Sequence, residues 1–142
     1  MNHDHYDDSY IADILGSVKT IALLGASLNP ARPSHGVMRF LLQRGYHVIP
    51  VNPGQAGKQI HGQKVYARLA DIPEPVDMVD VFRAAEFLPS IVDEAMALSP
   101  LPKVIWGQLQ IRDDTAAAKA EKAGIRMVMN RCPAIEIPRL GL

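Results

Sequence analysis

Apolar residues along this chain come in two alternating kinds of run. Thr20-Ile21-Ala22-Leu23-Leu24 is short and continuous, the pattern of a strand buried on both faces. His47 to Val51, Val76 to Phe82, Lys103 to Trp106 and Ile125 to Met129 repeat it. Between them lie segments with helical spacing. Ile11, Ile14, Leu15 and Val18 mark one, and Val37, Phe40 and Leu41 a second. Leu88, Ile91, Val92, Ala95 and Met96 follow i, i+3, i+4, i+7, i+8, a third. An alanine-rich helix spans Thr115 to Ala123, with Asp113 or Asp114 as its cap and Gly124 as its stop. Ser34 is the expected cap of the second helix. Pro50 lacks a backbone donor, so one side of the second strand should pair poorly there. Val65-Tyr66 reads as a short edge strand, and the tail from Pro133 as a short helix or clasp.

Strands alternating with helices imply right-handed βαβ units. The expectation is a single Rossmann-like, doubly wound α/β domain over residues 1–142. About five parallel strands run in the order 3-2-1-4-5, with helices on both faces. Residues 1–9 are polar and expected to fray, with His3 and His5 on that free end.

Composition narrows the function. The 142 residues are 48% hydrophobic and 21% charged, with zero formal net charge, which disfavours nucleic acid and anionic membrane as bulk partners. No stretch reaches the ~18 apolar residues of a membrane helix, and the first residues do not resemble a secretion signal. The single cysteine, Cys132, excludes an internal disulfide. A cytoplasmic location is expected.

Ligands on such sheets sit at the carboxyl ends of the strands. The first strand ends in Gly25-Ala26-Ser27 and leads through Arg32 to a helix start. Glycine permits close approach, and a helix start offers free N–H groups to an anion. The other strand ends are Asn52-Pro53, Phe82-Arg83 and Trp106-Gly107-Gln108, and Lys58 lies in a loop. The turn has one glycine and the second strand ends without a carboxylate, unlike the NAD fingerprint. The P-loop motif is absent too. A phosphate-bearing adenine ligand without a free ribose diol fits, and coenzyme A is one.

The stretches IALLGASLNPARPSHGVMRFLL, GYHVIPVNP, DIPEPVDMVDVFR, VIWGQLQI and AGIRMVMNRCPAIE, in this order, resemble the small YccU-type CoA-binding proteins. These are Rossmann-like domains similar to the CoA-binding domain of the succinyl-CoA synthetase alpha subunit. The resemblance implies CoA or an acyl-CoA as ligand, with Gly25, Ala26 and Ser27 at the diphosphate and Arg32 and Lys58 as phosphate cations. Val51-Asn52-Pro53 and Val81-Phe82-Arg83 would line the adenosine and upper pantetheine. Trp106, Gly107 and Gln108 would flank the pantetheine arm. The chain departs from the family at Gln110, where glycine is usual, and at Ala84, where a second arginine is common.

No catalytic set is legible, so a binder without catalysis is expected; an NADP-linked or CoA-dependent enzyme is the alternative. His35, one residue into the second helix, is a phosphate candidate. Asp77 and Asp80 read as a strand-end cap and a solvated charge rather than a metal pair. Cys132 reads as a small buried residue, two strands from the glycine loop. The sharper alternative there is a thiol that pairs with the CoA thiol.

Overall fold

A computed structural model describes residues 1–142. The chain runs α1 (Asp8–Ser17), β1 (Thr20–Leu24), α2 (Pro33–Gln43) and β2 (His47–Val51). A small antiparallel hairpin follows, β3 (Gln59–Ile60) and β4 (Gln63–Lys64). Then come β5 (Met78–Val81), α3 (Leu88–Met96), β6 (Val104–Gly107), α4 (Asp114–Lys122), β7 (Arg126–Val128) and α5 (Pro133–Arg139). Five strands form one parallel sheet in the order β2-β1-β5-β6-β7.

The fold class is the expected Rossmann-like one, but the strand order needs correction. Numbered within this sheet, the order is 2-1-3-4-5, not 3-2-1-4-5. The expected outer strand at Val65-Tyr66 shrinks to a single parallel bridge between Val51 and Tyr66. Pro50 explains why. Its carbonyl accepts from the Tyr66 N–H at 3.0 Å, on the outer edge. In a strand a residue's N and O point the same way, so the missing proline N–H falls on that edge. The ladder cannot extend there.

The alternation of β1, β5 and β6 splits the core into two layers. Ile21, Leu23, Met78, Val104 and Trp106 face α1, α2 and α5. Ala22, Leu24, Val79, Val81 and Ile105 face α3 and α4. Central strands covered on both faces must be apolar throughout, which is why periodicity failed in Val76 to Phe82. Asp77 caps as expected: its Oδ2 accepts from the N–H groups of Lys19 and Thr20 at 2.8 and 3.1 Å. Asp80 is not a solvated charge. It lies fully buried at the centre of the sheet.

Two end effects also differ from expectation. Arg32 occupies the N-cap position of α2 without a side-chain cap bond and Pro33 begins the helix, so Ser34 sits buried inside the first turn rather than capping it. Asp113 does cap α4, accepting from Ala116 N–H at 3.0 Å. Residues 1–9 do not form a free end in this structure. His3 is 6% exposed, its Nδ1 lies 2.6 Å from the Tyr6 hydroxyl, and its Nε2 lies 2.7 Å from Glu121 Oε1. The Tyr6 hydroxyl in turn accepts from Met129 N–H at 2.9 Å. These contacts tie the start of the chain to α4 and the end of β7.

Candidate functional site

β1 and β5 are adjacent, while the chain leaves β1 towards β2 on the opposite side. That reversal opens a crevice at the carboxyl ends of the strands. Gly25 turns the chain out of β1 with φ +85°, a conformation glycine adopts without strain. A Cβ on it would lie 3.0 Å from Phe82 O and 3.1 Å from Phe82 C. The glycine is therefore required first by its contact with the end of β5.

The Gly25 and Ala26 N–H groups do not face an empty site. Both donate to Val51 O, at 3.0 and 3.3 Å, fastening the turn to the end of β2. The backbone donors left over come next in the chain: the N–H groups of Ser27, Leu28 and Ser34 meet no protein acceptor. Side chains shape the loop that presents them. Ser27 Oγ accepts from Asn29 N–H, and Asn29 Oδ1 accepts from Ala31 N–H, each at 3.0 Å. Asn52 bridges two loops: its Nδ2 donates to Ala26 O at 2.8 Å and its Oδ1 accepts from Gly54 N–H at 2.9 Å. With free N–H groups at the start of an eleven-residue helix and Arg32 beside them, this elbow is suited to an anion.

Two clefts open from the elbow. The first, about 400 Å³, runs over Val51, Pro53, Arg68, Leu69 and Arg83. The second, about 540 Å³, runs past Arg32, Ser34, Phe82, Gln108, Leu109 and Cys132. Gly25 and Asn52 line both, so the two form one bent groove with the glycine turn at its corner.

Most of the expected residues meet here, and five do not. Trp106 is fully buried in the α1-α2-α5 layer, where its Nε1 donates to Arg131 O at 2.8 Å. Val81 is buried in the opposite layer. Gly107 is enclosed: a Cβ there would lie 2.7 Å from Ile111 O. Lys58 lines neither cleft. His35 packs on His61, with ring centroids 4.1 Å apart, and His61 Nε2 lies 2.9 Å from His35 O. Gln110 occupies the left-handed region, φ +69°, that glycine would take without strain, and its N–H donates to Asn130 Oδ1 at 2.8 Å. The loop thus keeps a left-handed residue at this position despite the substitution.

The groove also contains one residue the sequence did not single out, Arg68, beside the expected Arg83 and a cysteine read as lying two strands away. Arg68 follows the reduced edge strand and pairs with Asp71 at 3.0 Å. Arg83 lies over the Phe87 ring, 4.1 Å from its centroid. Cys132, thought remote, reaches the second cleft because the segment after β7 folds back over β6, with Arg131 N–H donating to Gly107 O at 3.3 Å. Beneath the second cleft, Gln108 Nε2 donates to Asp80 Oδ1 at 2.7 Å. Burial pushes the Asp80 carboxyl up to about 7, against a smaller lowering by Gln108. Burial likewise raises the Cys132 thiol, and the Asp80 charge adds to that.

A parallel sheet with a bent, phosphate-suited groove at its carboxyl ends defines a Rossmann-like ligand-binding domain. The chain belongs to the CoA binding domain family, whose model matches residues 19–138. It is 34% identical over 122 residues to the uncharacterized protein YneT of Bacillus subtilis, covering 86% of this chain and 87% of that one. It is 33% identical over 86 residues to the alpha subunit of an ADP-forming acetate–CoA ligase I of Pyrococcus furiosus. That match covers 58% of this chain and 19% of the subunit. A solved structure from Thermus thermophilus superimposes with a TM-score of 0.88 at 40% identity, covering 95% of this chain and 99% of that one. No helix is long and apolar enough to cross a membrane.

Proposed function

We propose that this domain binds coenzyme A or an acyl-CoA along the bent groove, without catalysis of its own. The observation that carries the reading is the shared elbow. CoA has an adenosine end, a diphosphate in the middle and a pantetheine arm, and the groove has two arms meeting at Gly25 and Asn52. The diphosphate lies at the elbow, taken by the N–H groups of Ser27 and Ser34 and by Arg32. The 3′-phosphoadenosine occupies the first cleft, within reach of Arg68 and Arg83. The pantetheine arm follows the second cleft towards Gln108. Family membership and the likeness to an acetate–CoA ligase subunit support CoA as the ligand.

The resemblance left the 3′-phosphate to either Arg32 or Lys58, and this reading differs by giving it to Arg68 and Arg83. Arg32 serves the elbow instead, and Lys58 lies in neither cleft. Isothermal calorimetry with CoA, dephospho-CoA and NADP tests it. CoA should bind about tenfold more tightly than dephospho-CoA, since a charge-assisted contact to the 3′-phosphate is worth roughly 1.4 kcal/mol or more. Equal affinities would remove the two arginines from the adenosine end. NADP bound more tightly than CoA would replace the reading with a dinucleotide one.

A further inference from the structure

Asp80 has no exposed surface. It stands level with Leu23 on β1 and Trp106 on β6, and neither side chain hydrogen-bonds it. Its Oδ2 is enclosed without a partner, and its Oδ1 has one, Gln108 Nε2 at 2.7 Å. A buried carboxylate costs free energy unless it is paired or fully bonded, and an apolar side chain of the same shape ordinarily serves a core position better. Packing therefore does not account for Asp80. Its single polar contact remains, and that contact leads to the groove. Gln108 is a wall of the second cleft, although only 5% exposed. Its backbone is held on both sides: its N–H donates to Val81 O at 3.2 Å, and its carbonyl accepts from Ile111 N–H at 3.0 Å. The side-chain amide is held by Asp80 alone. An ionised carboxylate only accepts, so it takes the NH2 end of that amide and turns the amide oxygen away from itself. Gln108 Oε1 meets no protein donor, yet it is not enclosed as Asp80 Oδ2 is. It opens on the second cleft as a held and unused acceptor.

We propose that Asp80 is a positioning residue for ligand binding: it locks the Gln108 amide with its oxygen towards the second cleft, where that oxygen accepts from an amide N–H of the pantetheine arm. The proposal rests on the CoA reading above. It adds recognition of the arm itself, a part of CoA that the adenosine and phosphates do not share.

A loose glutamine would offer its NH2 end as readily as its oxygen, and it would have to be ordered as the ligand binds. Holding it beforehand removes that cost. A hydrogen bond to a charged group is of the stronger kind, and this one is closed off from water, so it is suited to the task.

The test is calorimetry at pH 8, above the Asp80 titration at about 7, with two ligands: CoA, and adenosine 3′-phosphate 5′-diphosphate, which is CoA without its pantetheine arm. Asp80→Leu keeps the shape and removes the acceptor. It should weaken CoA about tenfold and leave the shorter ligand within about twofold, the loss of one held hydrogen bond. A merely structural role would weaken both ligands alike. Asp80→Asn, whose amide oxygen still accepts from Gln108, should keep the parental affinity for both. Gln108→Leu should lose at least as much CoA affinity as Asp80→Leu, and the double variant no more than Gln108→Leu, because Asp80 acts through Gln108. Asp80→Val, smaller and suited to a strand, takes the place of the leucine variant if that chain does not fold. CoA bound as tightly by the folded variant as by the parent, equal losses for the two ligands, a loss in Asp80→Asn as large as in Asp80→Leu, or additive losses in the double variant each overturn this inference and leave the CoA reading standing. Parent protein that does not bind CoA overturns that reading, and this inference with it.

Discussion

Gly25→Val should unfold at a melting temperature about 10 °C below that of the parent protein. A turn at the surface end of a strand would ordinarily accept such a change without loss of the fold and register it only in ligand binding. The structure reverses the expectation. Gly25 has φ +85°, where a side chain costs about 1–2 kcal/mol. Its Cβ would also press on backbone, Phe82 O at 3.0 Å and Phe82 C at 3.1 Å, which cannot swing away as a side chain can. Overpacking of that kind costs a further ~1–3 kcal/mol. For a chain of this size each kcal/mol moves the melting point by about 2–4 °C. Differential scanning calorimetry checks it. A melting point within about 2 °C of the parent would mean that the Gly25 turn does not clamp the ends of β1 and β5 together. The same contact means that lost CoA binding in this variant would not report on the diphosphate site, unless measured well below its melting point.

The second large effect is a pH dependence centred on Asp80. Its carboxyl titrates at about 7 in the folded protein, against an ordinary 3.8, because burial disfavours the charged form. The folded state therefore holds a proton that the unfolded chain releases. This contribution to stability is fully present below about pH 4, declines as pH rises, and is gone above about pH 7. Three units of difference correspond to about 4 kcal/mol as an upper figure. Asp80→Asn keeps the shape and removes the titration. Its amide oxygen can still accept from Gln108, while its extra N–H lacks a partner and costs roughly 1–3 kcal/mol. The variant should be less stable than the parent at pH 4.5 and more stable at pH 8. Urea unfolding at the two values reads the crossing. Parallel stability curves for parent and variant would show that Asp80 is ionised throughout the range.

Much of this architecture was written in local pattern. The continuous apolar runs located all five strands of the sheet, and the spacing of Leu88, Ile91, Val92 and Ala95 located α3, because each of those patterns answers to one geometry. Pro50 even announced which strand would fail to pair. The errors share a physical cause: they concern contacts between residues far apart in the chain. Asp80 looked like a solvated charge because nothing in Val76 to Phe82 reveals that β1 and β6 will flank it. The polar start of the chain carries no hint that Glu121 and Met129 will receive His3 and Tyr6. Trp106 and Gly107 stand at a strand end, where site residues belong, but Trp106 turns into the core and Gly107 is closed off by Ile111. Arg68 was passed over, and Cys132 was read first as a buried residue two strands from the glycine loop, for the opposite reason. Each lies on an irregular segment without periodicity, and only the folded chain carries it to the groove.

The central claim is that the diphosphate of CoA is held at the elbow of the groove by the loop between β1 and α2. Amide chemical shifts followed by nuclear magnetic resonance during a titration with CoA test this most directly. The N–H groups of Ser27, Leu28 and Ser34 are without protein acceptors in the unliganded chain, so they should show the largest changes. Gly25 and Ala26, already bonded to Val51 O, should respond less. Asn52 and Arg83 should shift as the adenosine arm fills. Saturable binding with the largest changes elsewhere, for example at the hairpin of β3 and β4, and with Ser27 to Ser34 unmoved, would contradict the account.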